Sequence, residues 1–138
     1  MSQTYQRPFR PTTLSPSSVV SFALPDMAHQ LMMEDAFGRT GHNALTLVQG
    51  EDLTVVLVVL KAQALLHDHQ APGPITVTPL SGCLEFSTAA GTEPLTLQAG
   101  DATVCSARLT HRVKALEDSA FLLVIGGKSQ AATRQQSV

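Results

Sequence analysis

The chain has 138 residues, 43% of them hydrophobic and 14% charged, with a formal net charge of −2. So apolar a composition excludes a disordered chain, and the length suits one domain with a real core. Nine lysines and arginines, spread thinly, leave no basic stripe for nucleic acid and no polybasic patch for a membrane surface. The longest apolar run, Leu53–Leu60, is far short of the roughly 20 residues that span a bilayer. Residues 1–10 contain no apolar core of a signal peptide, so a cytoplasmic protein is expected. Cys83 and Cys105 show no metal-type spacing and cannot form a disulfide framework; both read as small buried hydrophobes.

Residues 1–21 are rich in Pro, Ser, Thr and Gln, and Pro8, Pro11 and Pro16 rule out a regular element. They are expected to form an arm, extended or poorly ordered unless it docks. A helix is predicted over about 26–37, with Asp26 as N-cap, Met27, Leu31 and Met32 on one face, and Gly38 and Gly41 ending it. From about 44 to 126 the chain becomes a series of short period-2 apolar runs. They are separated by Gly50-Glu51, Pro72-Gly73-Pro74, Ser81-Gly82, Ala90-Gly91 and Ala99-Gly100-Asp101. Many short strands punctuated by turns mean an all-β sandwich or barrel. Leu53–Lys61 and Ala120–Ile125 are apolar on both faces. One face can fill a barrel, and the other must be covered by a second sheet, the helix or a partner subunit, so a homodimer is expected. The barrel domain then spans residues 22–127, and residues 128–138 form a polar tail expected to fray.

The stretch from Leu65 to His111 resembles the cupin superfamily, whose jelly-roll barrels carry two motifs. The first is Gly, five residues, His-x-His, three or four residues, Glu, six residues, Gly. The second is Gly, five residues, Pro-x-Gly, two residues, His, three residues, Asn. The second falls on Gly100–Ala115, with His111 at the histidine and Ser106, Arg108 and Ala115 where the family has Pro, Gly and Asn. Two registers compete for the first. Counting back from Gly82 puts the leading glycine at Gln63, the histidines at His69 and Ala71, and the glutamate at Ile75. The other puts His-x-His on His67 and His69 and loses the closing glycine. The segments His69–Val77, Leu80-Ser81-Gly82 and His111–Ser119 are also similar to a group of small single-domain bacterial cupins of the conserved-barrel, RmlC-like type. The resemblance covers about residues 40–126. It implies a small jelly-roll β-barrel with a short N-terminal helix.

In the family, three histidines and a glutamate hold one metal ion inside the barrel. His67 and His69 lie two apart on a strand and so face the same way. With His111 they would make an all-imidazole site for a divalent transition metal: Zn, Fe, Ni, Cu or Mn. Ala71, Ile75, Val77 and Arg108 are the expected pocket-lining residues, with Arg108 a candidate clamp for a carboxylate. Asp68 points away by strand phase. No catalytic residue is recognisable, since the chain lacks a nucleophile arrangement, a phosphate loop and a carboxylate pair. Two functions follow: a metal-dependent enzyme of the oxygenase or isomerase type, or a non-catalytic or structural barrel with a relic site. The enzyme and the non-catalytic ligand-binding reading share one expectation, a barrel that binds a small molecule; the structural reading does not.

Overall fold

A computed structural model describes residues 5–127 except Thr92. After the arm come α1 (Leu24–Met33) and α2 (Asp35–Thr40). Nine strands follow: β1 (His42–Gln49), β2 (Leu53–Leu60), β3 (Leu65–His69), β4 (Ile75–Ser81), β5 (Cys83–Thr88), β6 (Leu95–Gln98), β7 (Thr103–Cys105), β8 (His111–Ala115) and β9 (Ser119–Gly126). A five-stranded sheet runs β1-β2-β9-β4-β7 and a four-stranded sheet runs β3-β8-β5-β6. The strand pairs are antiparallel. This is the all-β jelly-roll barrel with a short helical N-terminus that the cupin resemblance implies.

The two-sided apolarity of β2 and β9 is resolved by two cores on either side of the five-stranded sheet. Val58, Leu60 and Phe121 face the other sheet and pack with Ile75, Val77, Phe86 and Val113 in the barrel interior. Leu57, Val59 and Ala120 face outward and pack beneath Met27, Ala28 and Leu31 of α1 and Phe37 of α2. Of the three alternative covers for this face, the N-terminal helices supply it. Covering it matters, because leaving one such Leu or Val in water forfeits about 1.5–3 kcal/mol.

The helical segment differs from the predicted 26–37. It starts at Leu24, and Asp26 sits in the first turn with no side-chain capping bond. It also breaks at Glu34, whose backbone is extended (φ −77°, ψ 150°). Gly38 lies inside α2, and Gly41 (φ 84°) closes it in the left-handed region that glycine adopts without strain. The break has a tertiary cause. The Glu34 carboxylate accepts hydrogen bonds from Tyr5 Oη (2.7 Å), Arg7 Nη2 (3.1 Å) and Asn43 Nδ2 (2.8 Å).

Those bonds dock the arm. Tyr5 is 5% exposed, and its carbonyl accepts from Gln30 Nε2 at 2.7 Å. Thr12 pairs with the edge of β1, donating to Leu47 O (2.8 Å) and accepting from Gln49 N (3.0 Å). Residues 13–21 run exposed over the surface. The polar tail expected at 128–138 lies outside the described residues.

Burial alone would raise the Glu34 carboxyl, but the bonds from Arg7, Asn43 and Tyr5 together outweigh it and hold it down at about 2. A carboxylate depressed below its ordinary 4.5 stabilises the fold above that value and loses this contribution as pH falls toward 2. Glu34→Gln should therefore cost about 1–2 kcal/mol at neutral pH. In paired thermal melts the gap between wild type and variant should close as the pH falls from about 4.5 to about 2.

Candidate functional site

Between the two sheets lies a cavity of about 220 Å³. Its wall is apolar: Val58 from β2, Ile75 and Val77 from β4, Val113 from β8, and Phe121, Leu123 and Ile125 from β9. Inward-facing residues alternate along each of these strands, as the pleat requires. The polar lining residues cluster at one end and are His69, Gln70 and His111. The Gln70 amide is engaged, donating to Thr110 Oγ1 at 2.8 Å.

His69 and His111 face each other across the β3–β8 ladder. Their rings stack at 6.2 Å between centroids, with 28° between planes. On the other side of β8, Phe86 of β5 stacks on His111 at 5.7 Å and 15°. His111 Nδ1 lies 3.2 Å from the carbonyl oxygen of Leu109.

His67 takes a different place from the one expected of a regular strand. Leu66 pairs with Val113 and His69 with His111, so His67 and Asp68 together oppose the single residue Arg112. This bulge reverses the strand phase. Leu66 and His69 both line the cavity and His67 does not, although both histidines are exposed. Asp68 faces outward to Arg112, at 3.0 Å. Arg108 also lies outside the cavity lining, with an exposed side chain. Its backbone forms the rim instead, where Arg108 N donates to Ala71 O at 2.8 Å.

Two left-handed positions agree with the register that runs from Gln63 to Gly82, and a third agrees with the second motif. Gln63 (φ 71°) and Arg108 (φ 62°) hold the backbone conformation of the glycines they replace, and Gly82 (φ 81°) keeps both. In that register the four ligand positions are His69, Ala71, Ile75 and His111, and all four line the cavity. Two carry imidazoles and two carry alkyl groups. Sequence reasoning missed eight lining residues, Leu66, Val113 and Phe121 among them, although the period-2 run Phe121-Leu123-Ile125 marks one inward face.

A metal ion requires more donors than this pocket offers. Among the described residues no group of three or more His, Cys, Asp or Glu is placed to hold one. Two imidazoles with no carboxylate leave a divalent cation under-coordinated and its charge unneutralised. The residues present do not fit a resident metal.

No protein-family model matches the chain, and no curated protein matches it. Solved structures do. A protein of unknown function from Streptococcus pyogenes is 25% identical at a TM-score of 0.63, over 88% of this chain and 96% of that one. An RmlC-like cupin from Desulfovibrio desulfuricans is 23% identical at 0.60, over 71% and 93%. A DMSP lyase from Ruegeria pomeroyi is 18% identical at 0.60, over 73% of this chain and 54% of that one. The fold is the cupin fold. No helix among the described residues is long and apolar enough to cross a membrane.

Proposed function

We propose that this cupin-type barrel binds a small, largely apolar molecule in the cavity between its sheets, without a resident metal ion. The observation that carries this reading is the pair Ala71 and Ile75. Both line the pocket where the resemblance puts metal ligands, and both make the wall continuous with Val77, Phe121 and Leu123. An open apolar hollow with a few convergent polar groups is the usual form of a small-molecule site. The cavity is also larger than the roughly 150 Å³ that suffices for benzene in an engineered apolar cavity.

A thermal-shift screen of small neutral compounds tests the reading. At about 100 times its Kd a ligand adds about 2.7 kcal/mol, so the melting temperature should rise by several degrees. Leu123→Trp, which fills the cavity from β9, should abolish the rise. A wild-type chain that no compound stabilises would contradict the proposal.

Assembly as a homodimer in the cytoplasm belongs to the same proposal. Val104 (74% exposed) on the edge strand β7 and Leu95 (50% exposed) on the edge strand β6 support the dimer. Sedimentation should give a dimer at micromolar concentration, and a monomer would contradict that part.

A further inference from the structure

We infer that the pocket selects a neutral, ring-sized molecule carrying one hydroxyl, whose O–H is donated to His111 Nε2. The inference rests on the proposed small-molecule function and adds the ligand's chemical class and the atom that recognises it.

Size comes first. A 220 Å³ cavity scales to about nine non-hydrogen atoms, given that about 150 Å³ holds the six carbons of benzene. Charge comes second. No Lys, Arg, Asp or Glu lines the cavity among the described residues. The nearby Arg112 and Asp68 face outward and pair with each other. An ionised ligand would lose its hydration with no Lys, Arg, Asp or Glu on the described wall to offset the loss, which favours a neutral occupant.

The polar contact follows from the surroundings of His111. Leu109 O can only accept a hydrogen bond, so the 3.2 Å contact assigns the ring proton to Nδ1. In the neutral ring Nε2 then carries the lone pair. The ring is flanked by His69 from β3 and Phe86 from β5. His111 lines the cavity and its Nδ1 is engaged by Leu109 O, so Nε2 is the ring nitrogen left for a ligand. An acceptor in an apolar cavity favours a donor, and a hydroxyl is the neutral donor that suits a small apolar body. A phenol or small cyclic alcohol meets all three conditions. Its methyl ether keeps the shape and loses the donor.

The test titrates the full chain calorimetrically with 4-methylphenol, 4-methylanisole and 4-methylbenzoate. The phenol should bind at least about tenfold more tightly than the ether, the ratio one buried hydrogen bond of ~1.4 kcal/mol gives. The benzoate should bind more weakly than either. His111→Phe keeps an aromatic ring in the stack and removes the acceptor, so it should bring phenol and ether within a factor of about two, whereas His69→Phe should preserve the preference. Ether binding equal to phenol binding in the wild type would overturn the hydroxyl assignment while leaving the small-molecule reading standing. Failure of all three probes would overturn both. The wild-type series decides the matter even if a histidine variant does not fold.

Discussion

The double substitution Ala71→His with Ile75→Glu is expected to turn a chain that retains no stoichiometric metal into one that holds about one transition-metal ion. Both positions line the same cavity as His69 and His111, so the change adds an imidazole and a carboxylate to two imidazoles already there. Four such donors match what imidazole- and carboxylate-bound transition metals require. The stability of the variant should report the same event. Ile75 is 2% exposed, and a carboxylate in its place is a buried charge with no partner until a cation arrives. With chelator the variant should therefore melt well below wild type, by an amount equivalent to about 3–5 kcal/mol. Added Zn or Ni should recover much of that loss, because metal binding is linked to folding. Elemental analysis of both proteins after equilibration with metal gives the answer. One equivalent on the wild type, or none on a folded double variant, would show that Ala71 and Ile75 do not control metal occupancy.

Gly82→Ala should be the most damaging single methyl added to this barrel. The glycine sits between β4 and β5 at φ 81°, where an L-residue is strained by about 1–2 kcal/mol. A Cβ there would also run into Ser119 Oγ and Asp118 O, with Ser119 Cα at 2.7 Å. Ser119 has no room to yield. It is fully buried, and its hydroxyl accepts from Cys83 N at 3.0 Å and donates to Glu117 O at 2.7 Å. Strain and overpacking together should cost about 2–4 kcal/mol, a large share of the roughly 5–15 kcal/mol by which a domain is stable. Gly38→Ala is the internal control. That glycine lies within α2 with nothing within 4 Å of an added Cβ, so alanine should stabilise by about 0.5–1 kcal/mol. Urea unfolding of the two variants should move the midpoint in opposite directions.

How far the sequence reveals this structure differs between the barrel and its site. Strand alternation and turn residues locate the sheets, and the apolarity of both faces of β2 and β9 foretells a second layer over them. The break at Glu34 leaves no local signal, because it arises from bonds to Tyr5, Arg7 and Asn43 that are distant in sequence. The same holds for the arm, whose docking depends on partners in α1 and β1. At the site, period-2 reasoning puts His67 beside His69, and one extra residue in β3 moves it out. A bulge of this kind is set by pairing with β8 and does not show in the composition of Leu65–His69. Ala71 and Ile75 carry no chemical signal of their own. Only the resemblance to the cupin motifs marks them, and the left-handed backbone at Gln63 and Arg108 then fits that alignment.

The most direct test of a ligand-binding barrel interior is a methyl NMR titration of the wild-type chain with benzene, a probe that needs neither a hydroxyl nor a metal. The predicted result is saturable shifts at the methyls of Val58, Val77, Leu123 and Ile125, which face the cavity, with none at Leu47, Leu57 or Val59 on the far side of the sheet. Shifts confined to the outer core, or none at saturating benzene, would contradict the account.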